Sequence, residues 1–371
     1  HFSDYMRRFP TTLTLLPTYQ CTAACENCCF DSNPRTRGRA ATTRLLEYID
    51  QAASLRTMRV VVISGGEPFL LGKDLDLLIA RANGHGLATR IVSNGYWATS
   101  LDVARARLTA LRAAGLKELN VSTGDFHAEF VPLPRVAFAA RAASDLNMQV
   151  AIMIERRAER HVVLDDIRSH PLIRQIVDDP NRSSSILFVE SPWMKRGSAV
   201  QGGTREVDEG APVPQDANAV VTRKNLPMRA GCSSILNGIV VTPYEQFGAC
   251  CGLPREEIPE LNIGAMRSKG LERCYEEARN DFLKVWLAVE GPEHILAWAA
   301  EHDPSIEWEG LYAHQCDACR AVYKSPKVVA VIRAHYREKL SDVLLKFAVL
   351  DGRAAEDHGK TMDSEAAAAV R

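Results

Sequence analysis

Cys21-Thr22-Ala23-Ala24-Cys25-Glu26-Asn27-Cys28 puts three cysteines on one short loop, separated by three and two residues. The loop follows a strand-like stretch, Thr12–Leu16. A zinc site normally draws four ligands, in two Cys-x-x-Cys-type pairs, and disulfide frameworks do not cluster in this way. Three thiolates on one tight loop suit a cubane iron–sulfur cluster whose fourth iron stays open to a ligand that is not protein.

A second run decides how the first is read. Val60-Val61-Val62-Ile63-Ser64 has the pattern of a buried strand, and Gly65-Gly66-Glu67-Pro68 follows it directly. Two glycines let a backbone pass close to a ligand, the proline fixes the turn, and Glu67 offers a carboxylate. Together the two runs resemble the radical SAM superfamily. In that family a loop of three cysteines with this spacing holds a 4Fe-4S cluster, and a GGEP-like motif receives the amino group of S-adenosylmethionine. The resemblance thus implies metal ligands at Cys21, Cys25 and Cys28 and cofactor contacts at Gly65, Gly66, Glu67 and Pro68. One departure stands in the loop: the residue before the third cysteine is often aromatic and covers the adenine, but here it is Asn27, so Phe30 or a residue of another strand end takes that role. Cys29 reads as a buried thiol rather than a ligand.

The 371 residues are enough for a large core and two domains. A net charge of −1 gives no basic field for nucleic acid. No apolar run approaches the ~20 residues that span a bilayer, and no signal peptide is evident. Ten cysteines without an export signal point to metal ligands rather than disulfides, and to a reducing cytoplasm.

Strand and helix patterns alternate through the first half. Strands are expected at Thr12–Leu16, Met58–Ser64, Ala88–Ser93, Glu118–Ser122, Gln149–Ile154 and Ser185–Val189. Helices are expected near Thr43–Ala53, Asp74–Asn83, Leu101–Ala114, Val131–Leu146 and Val163–Val177, the third with Leu101, Ala104, Leu108 and Leu111 on one face. Such alternation means right-handed βαβ units and a parallel sheet. Six units, against the eight of a full barrel, match the α/β partial (β/α)6 TIM barrel of the radical SAM family, expected over residues 11–200. Residues 201–228, rich in Gly, Pro, Asp and Glu, read as a linker or mobile loop. Residues 229–325 read as a Cys-rich α+β auxiliary-cluster module, and residues 326–371 as a C-terminal helix and flexible tail.

Parallel α/β sheets bind ligands at the C-terminal ends of their strands, and the resemblance assigns further residues there. Asn94, in Ser93-Asn94-Gly95, resembles the family's turn that orders the methionine part of S-adenosylmethionine. Ser122 and Asp125, in Ser122-Thr123-Gly124-Asp125-Phe126-His127, resemble its ribose contacts. The extra glycine leaves the alignment of that stretch open, and His127 is either a contact or a solvated histidine. Among Glu155, Arg156 and Arg157, Arg156 suits bidentate binding of the cofactor carboxylate. Ser191–Ala199 resembles a segment of peptide-modifying members, with Ser198 in place of arginine.

Cys232, Cys250, Cys251, Cys316 and Cys319 form a second group. Gly238–Tyr244 and Phe247–Gly252 read as a hairpin carrying ligands, and the pattern resembles the SPASM/twitch auxiliary-cluster modules, though Glu245 and Gln246 stand where a glycine is expected. Seven cysteines remain outside the first loop, too few for two fully cysteine-ligated cubanes. One auxiliary 4Fe-4S cluster is expected, on Cys232, Cys250 (or Cys251), Cys316 and Cys319. The alternative is a structural zinc, because both metals accept tetrahedral thiolates.

The resemblance implies an enzyme that reductively cleaves S-adenosylmethionine to a 5′-deoxyadenosyl radical and abstracts hydrogen from a substrate carbon. Its expected substrate is a ribosomally made precursor peptide, modified by crosslinking, thioether formation, epimerisation or oxidation. Two alternatives stand beside it: a small-molecule substrate such as a sugar, nucleoside or amino acid, and a non-catalytic Fe–S redox sensor. Expected partners are a flavodoxin- or ferredoxin-type electron donor and a separate leader-peptide recognition protein; that only about ten residues precede the first strand favours the small-molecule alternative slightly, unless such a separate protein accounts for it. A hydrogen-donor cysteine would imply epimerisation, with Cys274 and Cys251 as candidates.

Overall fold

The computed structural model describes residues 9–26, 28–156, 159–192, 219–253, 255–265 and 270–350. Its centre is a nine-stranded open sheet. Strands β1 (Thr12–Leu15), β2 (Val60–Ile63), β3 (Ala88–Ser93), β4 (Glu118–Thr123), β5 (Gln149–Arg156) and β6 (Ile186–Pro192) follow one another across it, all parallel. This is the expected α/β partial barrel. Its strands are apolar because helices cover the sheet: Leu13, Leu15, Val61, Ile63, Ile91, Leu119, Val121, Ile152 and Ile154 are all buried.

The connecting helices are α1 (Thr42–Ser54), α2 (Lys73–Gly84), α3 (Leu101–Ala114) and α4 (Leu133–Asp145). In α3, Ser100 caps the first turn by accepting from the Val103 N–H at 3.2 Å, and Gly115 ends the helix at φ +117°. Ala104, Leu108 and Leu111 are buried, with Leu101 packed beside them. The single helix expected at Val163–Val177 is two, α5 (Leu164–Ser169) and α6 (Pro171–Val177). Proline excludes the preceding residue from helical ψ, and His170 sits at ψ 129°.

The Cys-rich region extends the same sheet. Strand β7 (Gly238–Val241) pairs parallel with β1, Thr12 opposite Gly238, and β8 (Gln246–Gly248) and β9 (Asn262–Ala265) continue antiparallel. The sheet order is therefore β6-β5-β4-β3-β2-β1-β7-β8-β9. Helices α7 (Leu271–Arg279), α8 (Phe282–Val289), α9 (Pro292–His302), α10 (Gln315–Lys324) and α11 (Pro326–His335) follow, and residues 337–350 are helical. No helix among the described residues is long and apolar enough to cross a membrane.

Glu290 fastens this last helix to α8. Its carboxylate accepts from Trp286 Nε1 at 2.7 Å, Lys339 Nζ at 3.1 Å and Lys346 Nζ at 3.0 Å. Burial raises its pKa, but these three donors outweigh burial and hold it at about 2, below the usual 4.5. A carboxylate held low when folded stabilises above its unfolded pKa, and that stability is lost as pH falls through its folded value. Glu290→Gln is expected to lower the melting temperature at pH 7, with the gap to wild type closing between about pH 4.5 and pH 2. A gap that stays constant across that range would show that the ion pairs add nothing.

Candidate active site

The C-terminal ends of β1 to β4 open on a cavity of about 320 Å³. Its wall includes Cys21, Cys25 and Cys28, the Ser64-Gly65-Gly66 turn, Ser93, Asn94, Ser122 and His127. The three cysteines reach it because the chain beyond β1 is tied to the turn after β2. Gly66 N–H donates to the Thr18 carbonyl at 2.8 Å, and Glu67 N–H to the Gln20 carbonyl at 2.9 Å. The two glycines are therefore required by the protein's own backbone. A Cβ on Gly66 would lie 2.0 Å from the Gln20 carbonyl oxygen; one on Gly65, at φ +113°, would lie 2.5 Å from that of Thr18.

Glu67 is fully buried. One carboxylate oxygen accepts from Ser93 Oγ at 2.9 Å and Phe69 N–H at 3.0 Å, and the other accepts from Asn94 N–H at 2.9 Å. Burial pushes this carboxyl up to about 7 against the pull of those donors. Its carboxylate thus joins the ends of β2 and β3. Asn94 continues the network, with Nδ2 donating to Thr22 Oγ1 at 3.1 Å and lying 3.6 Å from Cys21 Sγ.

Burial and mutual proximity push the Cys21 thiol up to about 11 and that of Cys25 up to about 12, whereas a hydrogen bond from Cys29 draws Cys28 down to about 6. Crowded buried thiols become thiolates together only with a cation among them. This donor set therefore fits an iron–sulfur cluster held by Cys21, Cys25 and Cys28.

Residues 15–136 match the sequence profile of the Radical SAM superfamily. The chain carries a radical SAM domain. Over 151 residues the chain is 23% identical to the putative peptide biosynthesis protein YydG of Bacillus subtilis (strain 168), covering 40% of this chain and 47% of that protein. Over 103 residues it is 32% identical to a probable GTP 3′,8-cyclase of Pyrobaculum aerophilum, covering 28% of this chain and 31% of that protein. The chain thus spans less than half the length of each of these relatives. Among solved structures, native anSMEcpe with bound AdoMet and Cp18Cys peptide superposes with a TM-score of 0.51 at 12% identity, over 92% of this chain and 100% of that one. It shares the fold.

Within the radical SAM domain, His127 stands on a single helical turn, Asp125–Ala128. Its Nδ1 lies 3.1 Å from Glu155 Oε2, and Glu155 also accepts from the Phe126 N–H. Gly124 makes room for this arrangement, since a Cβ there would meet Glu155 Cγ at 2.1 Å. The extra glycine of that segment is thus explained by a buried carboxylate that orients a cavity histidine. The sequence assigned Glu155 no role beside Arg156; its acidic side chain at the end of an apolar strand was the available signal.

Four expected cofactor residues stand outside the cavity wall, Glu67 and Pro68 because they are buried behind it. Asp125 accepts from the backbone N–H groups of His161 and Val162, at 3.0 and 2.7 Å, and stands outside the cavity wall. Arg156, at the end of β5, is also absent from that wall. Arg157 and residues 193–199 of the Ser191–Ala199 segment lie outside the described residues, as does Asn27. Phe30 does line the cavity and stacks on Tyr19, centroids 5.3 Å apart. Cys29 lines it too.

The second cysteine group closes the cavity from the β7–β9 side, with Cys251, Leu253 and Glu257 in the wall. Arg255, 1% exposed, donates to Asn262 Oδ1 at 2.9 Å and to Tyr19 Oη at 3.2 Å. It thereby fixes this region to the chain leading into the cysteine loop. Cys250 is buried; burial raises the thiol pKa of Cys232, Cys250, Cys316 and Cys319, with Cys251 adding to the first three and Cys232 to the last three. His314 presents the Cys316-x-x-Cys319 pair by capping α10, its Nδ1 accepting from Cys316 N–H at 3.0 Å. Cys251 is exposed. Cys274 is fully buried under Gly264, whose added Cβ would lie 2.6 Å from its sulfur, and it is no part of the cavity wall.

Proposed function

We propose that the chain is a radical SAM enzyme that modifies a peptide, using one auxiliary 4Fe-4S cluster on Cys232, Cys250, Cys316 and Cys319. The observation that carries this reading is the shared cavity wall, which brings the three loop cysteines together with His127 and Cys251. When bound, the loop cluster and S-adenosylmethionine supply a 5′-deoxyadenosyl radical able to take hydrogen from an unactivated carbon. The residues have separable tasks. Cys21, Cys25 and Cys28 hold the cluster. The carbonyls of the Gly65-Gly66 turn are acceptors for an ammonium group. Asn94 and Glu67 hold that turn and the cysteine loop in register. Ser122 offers a hydroxyl at the β4 end, and the walls exclude water.

The second group is not drawn in to the spacing of a zinc site, which leaves the wider cluster as the proposed occupant. Among the described residues, no three cysteine sulfurs lie within 4.8 Å of one another. Four thiolates on one zinc ion, at Zn–S ≈ 2.3 Å, sit about 3.8 Å apart. A cubane binds its thiolates at separate corners and holds them more widely. Cys250, the buried member of the adjacent pair, is its ligand beside the half-buried Cys232, Cys316 and Cys319. Cys251 lines the cavity, where its S–H bond can break to give a hydrogen atom to a substrate-carbon radical, the thiyl left on Sγ being returned to the thiol by an electron from the proposed donor protein and a proton from solvent, which makes epimerisation the favoured outcome.

The sequence likeness to a peptide biosynthesis protein supports the peptide class. The likeness to a probable GTP cyclase supports a small-molecule reading, which stays second because its match covers less of this chain. A flavodoxin- or ferredoxin-type donor and a separate leader-recognition protein complete the proposal.

The test compares Cys250→Ser with Cys251→Ser after anaerobic reconstitution, in the presence of reductant, S-adenosylmethionine and candidate peptides in deuterated water. Cys250→Ser is expected to lose about four irons per chain. Cys251→Ser is expected to keep them and still form 5′-deoxyadenosine, yet to place no deuterium in the peptide. Equal iron loss in both variants would overturn the division of roles. Turnover of small molecules and of no peptide would overturn the substrate class.

A further inference from the structure

Far from the cavity, three side chains converge where α9 and α11 end. His302 is the last residue of α9, His335 the last of α11, and Glu338 lies in the first turn of the 337–350 helix. Among the described residues they form the group of three histidine, cysteine or carboxylate ligand atoms that all lie within 4.8 Å of one another. One Glu338 oxygen is 2.9 Å from His302 Nε2, and the other is 2.9 Å from His335 Nδ1.

Two features prepare the first histidine as a ligand. Its Nδ1 lies 3.1 Å from the Trp298 carbonyl oxygen, which can only accept, so Nδ1 carries a proton and Nε2 is the nitrogen turned toward Glu338. A carbonyl behind the distal nitrogen is the support that metal-bound imidazoles commonly have. The ring is also held from both sides, 4.6 Å from Trp298 and 4.4 Å from the His335 ring by centroid. Its side chain is 21% exposed, whereas His335 and Glu338 remain open to solvent at 42% and 54%, so an ion can enter. The neighbouring Lys339 is turned away, its ammonium bound to Glu290.

We infer that His302, His335 and Glu338 form a binding site for a divalent metal ion of the zinc type, clamping α9 to the C-terminal helix. Two imidazoles and one carboxylate are a donor set suited to zinc, with a fourth position left to water. The ion takes the position between the two imidazoles and the carboxylate that hydrogen bonds now span. This site is independent of the radical chemistry proposed above.

The test is a Co²⁺ titration of the anaerobically reconstituted full chain, whose cluster-bound thiolates are occupied. Wild type is expected to take up one more equivalent than the His302→Ala/His335→Ala double variant. That equivalent should show weak visible d–d bands and no sulfur-to-cobalt charge transfer. Glu338→Gln, which keeps the side-chain shape, is expected to weaken that uptake at least about tenfold and decides the matter if the double variant does not fold. Unchanged uptake in Glu338→Gln, or a sulfur charge-transfer band on the extra equivalent, would overturn the site.

Discussion

Replacing Cys21 or Cys25 by alanine is expected to remove about four irons per chain and to lower 5′-deoxyadenosine formation at least roughly a thousandfold, a loss of about 4 kcal/mol or more at the transition state. In the proposed cluster each would supply one of three thiolates, from a loop tied to its neighbours. Cys21 N–H donates to the Asn33 carbonyl at 3.2 Å, its sulfur lies 3.6 Å from Asn94 Nδ2, and it is 8% exposed. No other thiol can move into its place without breaking those ties. Cys28 differs, because Cys29 is adjacent, lines the same cavity and already shares a hydrogen bond with it. Cys28→Ala is therefore expected to retain part of its iron, and Cys28→Ala/Cys29→Ala to retain none at this loop. Iron counting and the characteristic absorption near the visible edge check both. Equal, complete loss in Cys28→Ala would show that Cys29 cannot substitute, and full iron in Cys21→Ala would remove the loop from the cluster altogether.

The six parallel strands were legible because each carries a short apolar run or alternation between helical patterns, a signal local to the sequence that holds even for the edge strand β6, which buries no residue. The break at Pro171 was equally local and follows from proline sterics. By contrast, nothing local tells that Gly238–Val241 adds to the edge of β1, since that pairing joins residues more than two hundred positions apart. The Cys-rich region thus looked separate in sequence but shares the sheet of the barrel in space. The same limit applied to the site. The loop cysteines and the Gly65-Gly66 turn were found because their chemistry is written in one short run. Asp125 was expected as a ribose contact and Glu155 was given no role, because the turn of Glu155 toward His127 depends on Gly124 making space for a side chain from the next strand. Cys251 could not be separated from Cys250 by spacing. The turn after β8 separates them, burying one sulfur and exposing its neighbour.

Gly66→Ala is expected to be nearly as damaging to the reaction as loss of a cysteine, although residue 66 contributes no side chain. An added Cβ would lie 2.0 Å from the Gln20 carbonyl oxygen, 2.6 Å from its carbon and 2.8 Å from the Tyr19 carbonyl carbon. All three are backbone atoms, so no rotamer change relieves the overlap. Either the turn after β2 or residues 19–21 must shift, and the Glu67 N–H to Gln20 carbonyl bond at 2.9 Å breaks in both cases. Overpacking of this kind costs about 1–3 kcal/mol, and the displaced segment runs straight into Cys21. Misplacement by about 1 Å near reacting groups costs roughly a hundredfold in rate. The expected result is a folded protein with reduced iron content, at least about a hundredfold less 5′-deoxyadenosine, and weakened S-adenosylmethionine binding. Gly84→Ala is the control: Gly84 ends α2 with nothing within 4 Å of its would-be Cβ, so that variant should match wild type in all three readouts. If Gly66→Ala behaved like Gly84→Ala, the close approach of the two backbones would not be what requires glycine there. The position would then answer to the cofactor alone, and a bulkier ligand-facing residue such as Ser64→Val would become the informative change.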